Sequence, residues 1–131
     1  MDSSAFDAIA RRHGIRLLLQ FGSSVTGKQH ANSDIDLAVL LERAPASWES
    51  EADLVVDLQP LFPGCEVDVA VVNRADPLFL KQIMATARLL FGPKRALHEL
   101  RIYAFKRYQD HRRFLALERR YVIRAIDALT R

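Results

Sequence analysis

The chain has 131 residues, of which 50% are hydrophobic and 27% charged, a composition typical of one soluble globular domain. Its longest unbroken apolar run, residues 37–41, is far shorter than the roughly 20 residues of a spanning helix. The acidic start, Met-Asp-Ser-Ser, differs from a signal peptide, and the single cysteine, Cys65, predicts a buried thiol in a reducing compartment. These features argue against secreted and membrane-spanning classes and predict a cytoplasmic protein.

The net charge of +3 is unevenly distributed along the chain. Residues 94–131 carry eleven Lys or Arg and four acids, an excess of +7, whereas residues 1–93 carry eight bases and twelve acids. An acidic body with a basic tail indicates an anionic partner or, more simply, a solvated helix surface.

Apolar periodicity and turn residues predict helices and strands that alternate along the chain. In the helix that follows the cap residue Ser47, the apolar stripe is predicted to run from Trp48 through Ala52 to Phe62. The predicted elements are a helix ending near Arg12, a strand at 15–21, a loop or short helical turn at 23–33, a strand at 34–41, a helix from 48 to about 61, a strand at 65–72, a helix from Pro77 and a short strand at 88–91.

The last part of the chain has neither Gly nor Pro from Lys94 to Leu129, and its apolar residues recur at helical spacing. This pattern predicts one long helix, or two helices with a bend near Asp110. The tyrosines of this segment and His111 are predicted to pack against the core. The element order predicts an α/β (α+β) fold, a small mixed sheet of about four strands with packed helices and a long C-terminal helical segment.

Three carboxylates on two predicted strands form a candidate metal site. Asp34 and Asp36 are two residues apart on a strand, so both side chains project from one face. Asp68 lies on the next strand, opposite its apolar face, and can join the pair if the two strands are neighbours. Hard oxygen ligands of this kind suit Mg²⁺, which completes its octahedron with water and phosphate oxygens.

The turn Gly22-Ser23 directly follows a predicted buried strand. Such a turn can direct backbone N–H groups and a hydroxyl towards an anion, and glycine permits close backbone approach. No Gly-Lys-Ser/Thr follows at the spacing of a Walker A loop. The turn is therefore a candidate phosphate-binding element of another kind.

These motifs resemble those of the nucleotidyltransferase superfamily that includes DNA polymerase beta. The pattern Gly-Ser, ten residues, then Asp-x-Asp is similar to the signature of its minimal nucleotidyltransferase (MNT) group, and the run from Val67 to Arg120 is similar to antitoxins paired with HEPN toxins. The matching segments are Gly22-Ser23, Gly27, residues 33–37 and residues 67–69. Thr26 stands where many members carry Arg, which leaves Lys28 or Arg88 as the cation beside the triphosphate.

The resemblance implies a polymerase-beta-like core at 1–93, a C-terminal helical extension at 94–131 packed on that core, and AMP transfer from ATP. It implies two Mg²⁺ ions held by Asp34, Asp36 and Asp68, with Asp68 accepting the proton of the acceptor hydroxyl. Gly22, Ser23, Ser33 and Lys28 are the implied nucleotide contacts. In the MNT antitoxins the acceptor is a tyrosine of the partner HEPN ribonuclease, which AMP transfer silences.

Two other functions remain open at this point. The same fold can act on a small hydroxylated substrate such as an aminoglycoside, and an antitoxin can mask its toxin by contact alone. The HEPN motif, Arg followed four to six residues later by His-x-Tyr, is absent from the sequence, so the chain is not the toxin of such a pair. The partner is expected to be a HEPN-family protein that binds the basic helical tail. Neither a membrane nor a nucleic acid is the expected partner.

Overall fold

A computed structural model describes residues 3–26 and 34–130. Two of the nucleotide contacts implied by the resemblance, Lys28 and Ser33, lie outside the described residues. The elements follow the predicted order and are α1 (Ser3–His13), β1 (Ile15–Phe21), α2 (Ser23–Thr26), β2 (Ile35–Leu41), α3 (Trp48–Leu58), β3 (Val67–Val71), α4 (Pro77–Thr86), β4 (Arg88–Phe91) and α5 (Lys94–Thr130), with 3-10 turns at Gln59–Leu61 and Val72–Arg74.

The four strands form one mixed sheet in the order β3-β2-β1-β4. β1 pairs antiparallel with β2 and β4, and β2 pairs parallel with β3. A parallel pair requires a crossover connection, which α3 provides between β2 and β3. The predicted small mixed sheet of four strands with packed helices is confirmed.

Helices cover both faces of the sheet. Because side chains alternate along a strand, Leu18 and Leu37 pack with α1 and α3, whereas Leu19 and Ala38 pack with α4 and α5. We call the second side the α4/α5 face. Cys65 is only half-buried and packs against the first cluster, so the prediction of a buried thiol holds in part.

The apolar stripe predicted for α3 was wrong in its first turns. Ser47 caps the helix as predicted and accepts a hydrogen bond from the Ser50 amide, yet Trp48 is 75% exposed. The buried residues of α3 are Leu54 and Leu58. Two overlapping stripes fit the same spacing, and only the contact with α1 and β3 selects between them.

α5 is a single helix without a break, and the prediction that its tyrosines and His111 pack against the core was wrong for the exposed Tyr103 and Tyr121, whereas Tyr108 and His111 are half-buried. Its buried residues are all in the first third, and every residue from Arg112 to Thr130 is exposed. The 37 residues of α5 span about 55 Å, whereas the 10 residues of α4, against which it packs, span about 15 Å. The helix therefore extends beyond the surface that could cover it. No helix among the described residues is long and apolar enough to cross a membrane.

Candidate active site

The parallel pairing of β2 and β3 places two of the predicted carboxylates side by side. Asp36 pairs with Asp68 across the two strands, and Phe21 pairs with Asp36 on the other side. Asp36 shares its side of the sheet with Ala38, and Asp68 with Ala70, so both carboxylates lie on the α4/α5 face. Asp34, two residues before Asp36, is exposed just before β2 begins. We call the part of the α4/α5 face where Asp34, Asp36 and Asp68 lie the corner. The fold thus brings together the three carboxylates singled out from the sequence.

Mutual repulsion marks these carboxylates as a cluster. The pKa of the Asp36 carboxyl lies above its ordinary value, first because burial disfavours the charged form, then because Asp68 and Asp34 add negative charge nearby. A fold tolerates such an arrangement most readily when a cation neutralises it. The corner is therefore suited to a positively charged ligand.

The donor set fits Mg²⁺ only in combination with other oxygens. Within residues 3–26 and 34–130, no three His, Cys, Asp or Glu side chains are positioned to enclose a metal ion by themselves. Mg²⁺ usually takes one or two protein carboxylates and obtains its other ligands from water and substrate phosphates. Two neighbouring carboxylates at an open corner meet that requirement, whereas they would not suit a structural metal with four protein ligands.

The turn after β1 brings backbone against the carboxylate pair. Gly22 has φ +77°, and a Cβ built on it would lie 2.8 Å from Oδ2 of Asp36. Only glycine combines this backbone conformation with this approach. Ser23, the first residue of α2, follows directly and is exposed. The glycine thus keeps the turn and the Asp36 carboxylate in direct contact.

Thr86, the last residue of α4, holds this turn in place. The amide of Gly22 donates a 2.7 Å hydrogen bond to Oγ1 of Thr86. A ring contact between Phe21 and Phe79, with centroids 6.1 Å apart, ties the same helix to the end of β1. Sequence reasoning missed Thr86. The hydrogen bond joins residues 64 positions apart, and a single threonine at a helix end belongs to no recognisable sequence motif. The Gly22 amide is thus bonded to Thr86, which fixes the position of the turn beside Asp36.

Arg88, one of the two cations suggested for the triphosphate, begins β4 and pairs with Gln20 of β1. Its neighbour Leu89 packs on the α4/α5 face, so Arg88 lies on the other side of the sheet from Asp36 and Asp68. Its side chain is exposed. The structure therefore does not place Arg88 beside the carboxylates.

The family profile described as Polymerase beta, Nucleotidyltransferase matches residues 6–96, which contain β1 to β4 and every candidate site residue. The chain belongs to this nucleotidyltransferase family. The predicted polymerase-beta-like fold and nucleotidyltransferase activity are thereby confirmed. The match ends near the start of α5, so most of that helix lies outside the family core.

Relatives of known structure or function cover nearly the whole chain. The protein adenylyltransferase MntA of Shewanella oneidensis is 29% identical over 119 residues, 88% of this chain and 79% of MntA. A chain from a toxin-antitoxin crystal structure with AMP-PNP is 25% identical with a TM-score of 0.66, covering 96% of this chain and 98% of its own. A chain from a complex of a tri-AMPylated Shewanella oneidensis HEPN toxin with its MNT antitoxin shares the fold, at 21% identity and TM-score 0.60, over 94% of this chain and 93% of its own.

Proposed function

We propose that the chain is an Mg²⁺-dependent protein adenylyltransferase and the antitoxin of a HEPN toxin, which it neutralises by transferring AMP from ATP to a tyrosine hydroxyl. The observation that carries the proposal is the pairing of Asp36 with Asp68 beside the Gly22 turn. The similarity to MntA over 88% of the chain supports AMP as the transferred group and a protein as the acceptor. The similarity to a chain crystallised with AMP-PNP supports ATP as the donor.

The reaction joins the acceptor oxygen to the α-phosphorus of ATP, breaks the bond between the α- and β-phosphates, and releases pyrophosphate. Nucleotidyl transfer depends mainly on positioning and charge neutralisation. Mg²⁺, when bound, neutralises the triphosphate and the developing charge. Asp34 and Asp36 hold the cation, and Asp68 contributes to the same site. The exposed Asp68 carboxylate also receives the proton of the attacking hydroxyl.

The proposal assigns the nucleotide contacts to residues of the motif. Ser23 contacts the terminal phosphates with its hydroxyl, and Gly22 lets the turn approach them closely. Ser33 and Lys28 complete the contacts, with Lys28 as the cation beside the triphosphate. These assignments follow the motif carried by the resemblance.

A labelling experiment tests the proposal. The partner is the product of the neighbouring reading frame, expected to be a small helical protein with the Arg…His-x-Tyr motif. Incubation of both proteins with ATP labelled at the α-phosphate should label the partner, and EDTA should abolish the label. A partner that stays unlabelled, while an aminoglycoside is labelled, would replace the proposal with a small-molecule nucleotidyltransferase. A partner inhibited without any label would replace it with inhibition by contact.

Thr86→Val is expected to lower the rate of AMP transfer about five- to tenfold, the equivalent of one hydrogen bond. Valine keeps the shape of threonine but offers the Gly22 amide no acceptor, so the turn is held less firmly. Thr86→Ser keeps the hydroxyl and is the matched control. The measurement is kcat and KM for ATP in all three proteins, with thermal melting alongside. Equal kinetics in the valine variant and wild type would show that the bond does not position the turn.

A further inference from the structure

The half of α5 beyond the body carries a large exposed apolar surface. Every side chain from Arg112 to Thr130 is exposed, whereas the buried residues of the helix lie between Ala96 and Ala104. Single exposed apolar residues are ordinary, but eight large ones among residues 114–129 of one helix mark an interaction surface. The large apolar residues exposed here are Phe114 (62%), Leu115 (48%), Leu117 (63%), Tyr121 (75%), Val122 (44%), Ile123 (56%), Ile126 (56%) and Leu129 (86%).

Part of this surface continues the side of α5 that contacts α4. Tyr108 packs beside Lys81 of α4, with the Lys81 Nζ 4.0 Å from the centre of its ring. Leu115, Val122 and Leu129 follow Tyr108 at intervals of seven residues. Seven residues fall about 20° short of two whole helical turns, so these four side chains form a row that winds by about 60° around the helix from Tyr108 to Leu129. We call them the apolar row. Beyond Tyr108 the residues of the row are apolar, as on a helix face that packs against another element. No residue in the described part of the chain covers them.

A groove between α4 and α5 leads into the apolar row. Its volume is about 540 Å³, and it is lined by Met84 of α4 and by Phe105 and Tyr108 of α5, with Lys81 and Arg112 at its border. Arg112 begins the exposed half of the helix. Groove and row therefore form one continuous apolar surface, bordered by Arg112 and Arg119 and also by Glu118.

The charge of the segment indicates what covers it. Residues 112–130 carry five arginines and only two acids. A second copy of the chain would bring the same positive excess against it, which like-charge repulsion disfavours. A partner surface that is apolar in the middle and acidic at its border would match both the apolar row and the positive charge of this segment.

We propose that the groove and the apolar row form the docking surface for a helical partner protein whose apolar face is bordered by acidic side chains. The proposal rests on the proposed function, which makes that partner the HEPN protein that receives AMP. Docking on α5 would account for a helix that extends far beyond the catalytic core. It also separates the surface that recognises the partner from the corner that performs the transfer.

The test measures partner affinity by titration calorimetry in the Asp36→Asn background, so that binding is observed without AMP transfer. The triple substitution Leu115→Gln, Val122→Gln and Leu129→Gln is expected to weaken binding at least tenfold. The control, Trp48→Gln with Val56→Gln, removes exposed apolar side chains from α3 on the opposite face of the sheet and should bind normally. All these positions are exposed, and glutamine is a good helix former, so melting temperatures should stay the same.

Charge reversal tests the border of the surface. Arg112→Glu with Arg119→Glu lies beside the apolar row, whereas Arg113→Glu with Arg124→Glu changes the net charge equally on the opposite side of the helix. The first pair is expected to weaken binding at least tenfold and to reduce its salt dependence, and the second pair to have a much smaller effect.

Three results would overturn the docking proposal. They are unchanged affinity after the triple substitution, equal effects of the two charge reversals, and a wild-type dimer in sedimentation that the triple substitution dissociates. The last result would assign the surface to a second copy. Failure of the proposed function has a different signature, namely a partner that binds through the row but is never labelled by wild-type protein.

Discussion

Replacing Asp36 with Asn is expected to lower the rate of AMP transfer by two orders of magnitude or more without unfolding the protein. Asparagine keeps the shape of the side chain but removes one negative charge from the site that must hold Mg²⁺ against the triphosphate. Groups that hold a metal act as a unit, so the loss of one is severe. The rate is measured by transfer of label from ATP to the partner at saturating Mg²⁺. A variant that transfers AMP at near wild-type rate would show that Asp36 is not a metal ligand.

The same variant should be at least as stable as wild type in metal-free buffer. The pKa of Asp36 is raised in the folded chain, so the folded state holds this proton more tightly than the unfolded state. Wild-type stability therefore falls as pH rises from the unfolded pKa through the folded one, and this loss is absent in the asparagine variant. The difference in melting temperature should grow across that pH window and then level off. A variant that melts far below wild type at neutral pH would contradict the repulsion inferred at this corner.

Gly22→Ala is expected to reduce AMP transfer on the order of 10²-fold, the loss that follows from misplacing reacting groups by about 1 Å. The added methyl group would meet Oδ2 of Asp36 at 2.8 Å, and the backbone at φ +77° disfavours any side chain. Either the turn or the carboxylate must move, and both belong to the proposed site. The measurement combines the transfer rate with thermal melting, because backbone strain of about 1–2 kcal/mol should also lower stability.

Gly64→Ala is the control that separates the effect of backbone strain from the effect of the contact with Asp36. Gly64 has φ +80°, almost the same backbone conformation, but a Cβ there would have no neighbour within 4 Å. The two variants should lose similar stability, and only Gly22→Ala should lose transfer activity. If both variants lose activity equally, global destabilisation rather than the contact with Asp36 explains the effect.

Local sequence patterns predicted most of the fold. β1 is visible as a short apolar run and β3 from its two-residue alternation, and the helix starts follow signals such as the Ser47 cap and Pro77. The proximity of Asp34 and Asp36 also follows from their spacing, although β2 begins at Ile35 and Asp34 lies just before it. The assignment of these carboxylates to metal and of Gly22 to phosphate stays a prediction from the family resemblance.

The sequence by itself determined which residues could form strands, helices and a carboxylate cluster, because those properties depend on neighbours a few positions away. Only the tertiary structure decided that Asp68 pairs with Asp36, since the register follows from the crossover through α3. It also decided that Thr86 holds Gly22 and that the apolar side of α5 is no longer covered beyond Tyr108 and His111. A helical stripe shows which side of a helix is apolar, but whether that side is buried depends on how far the neighbouring layer extends. Here α4 is too short to cover it.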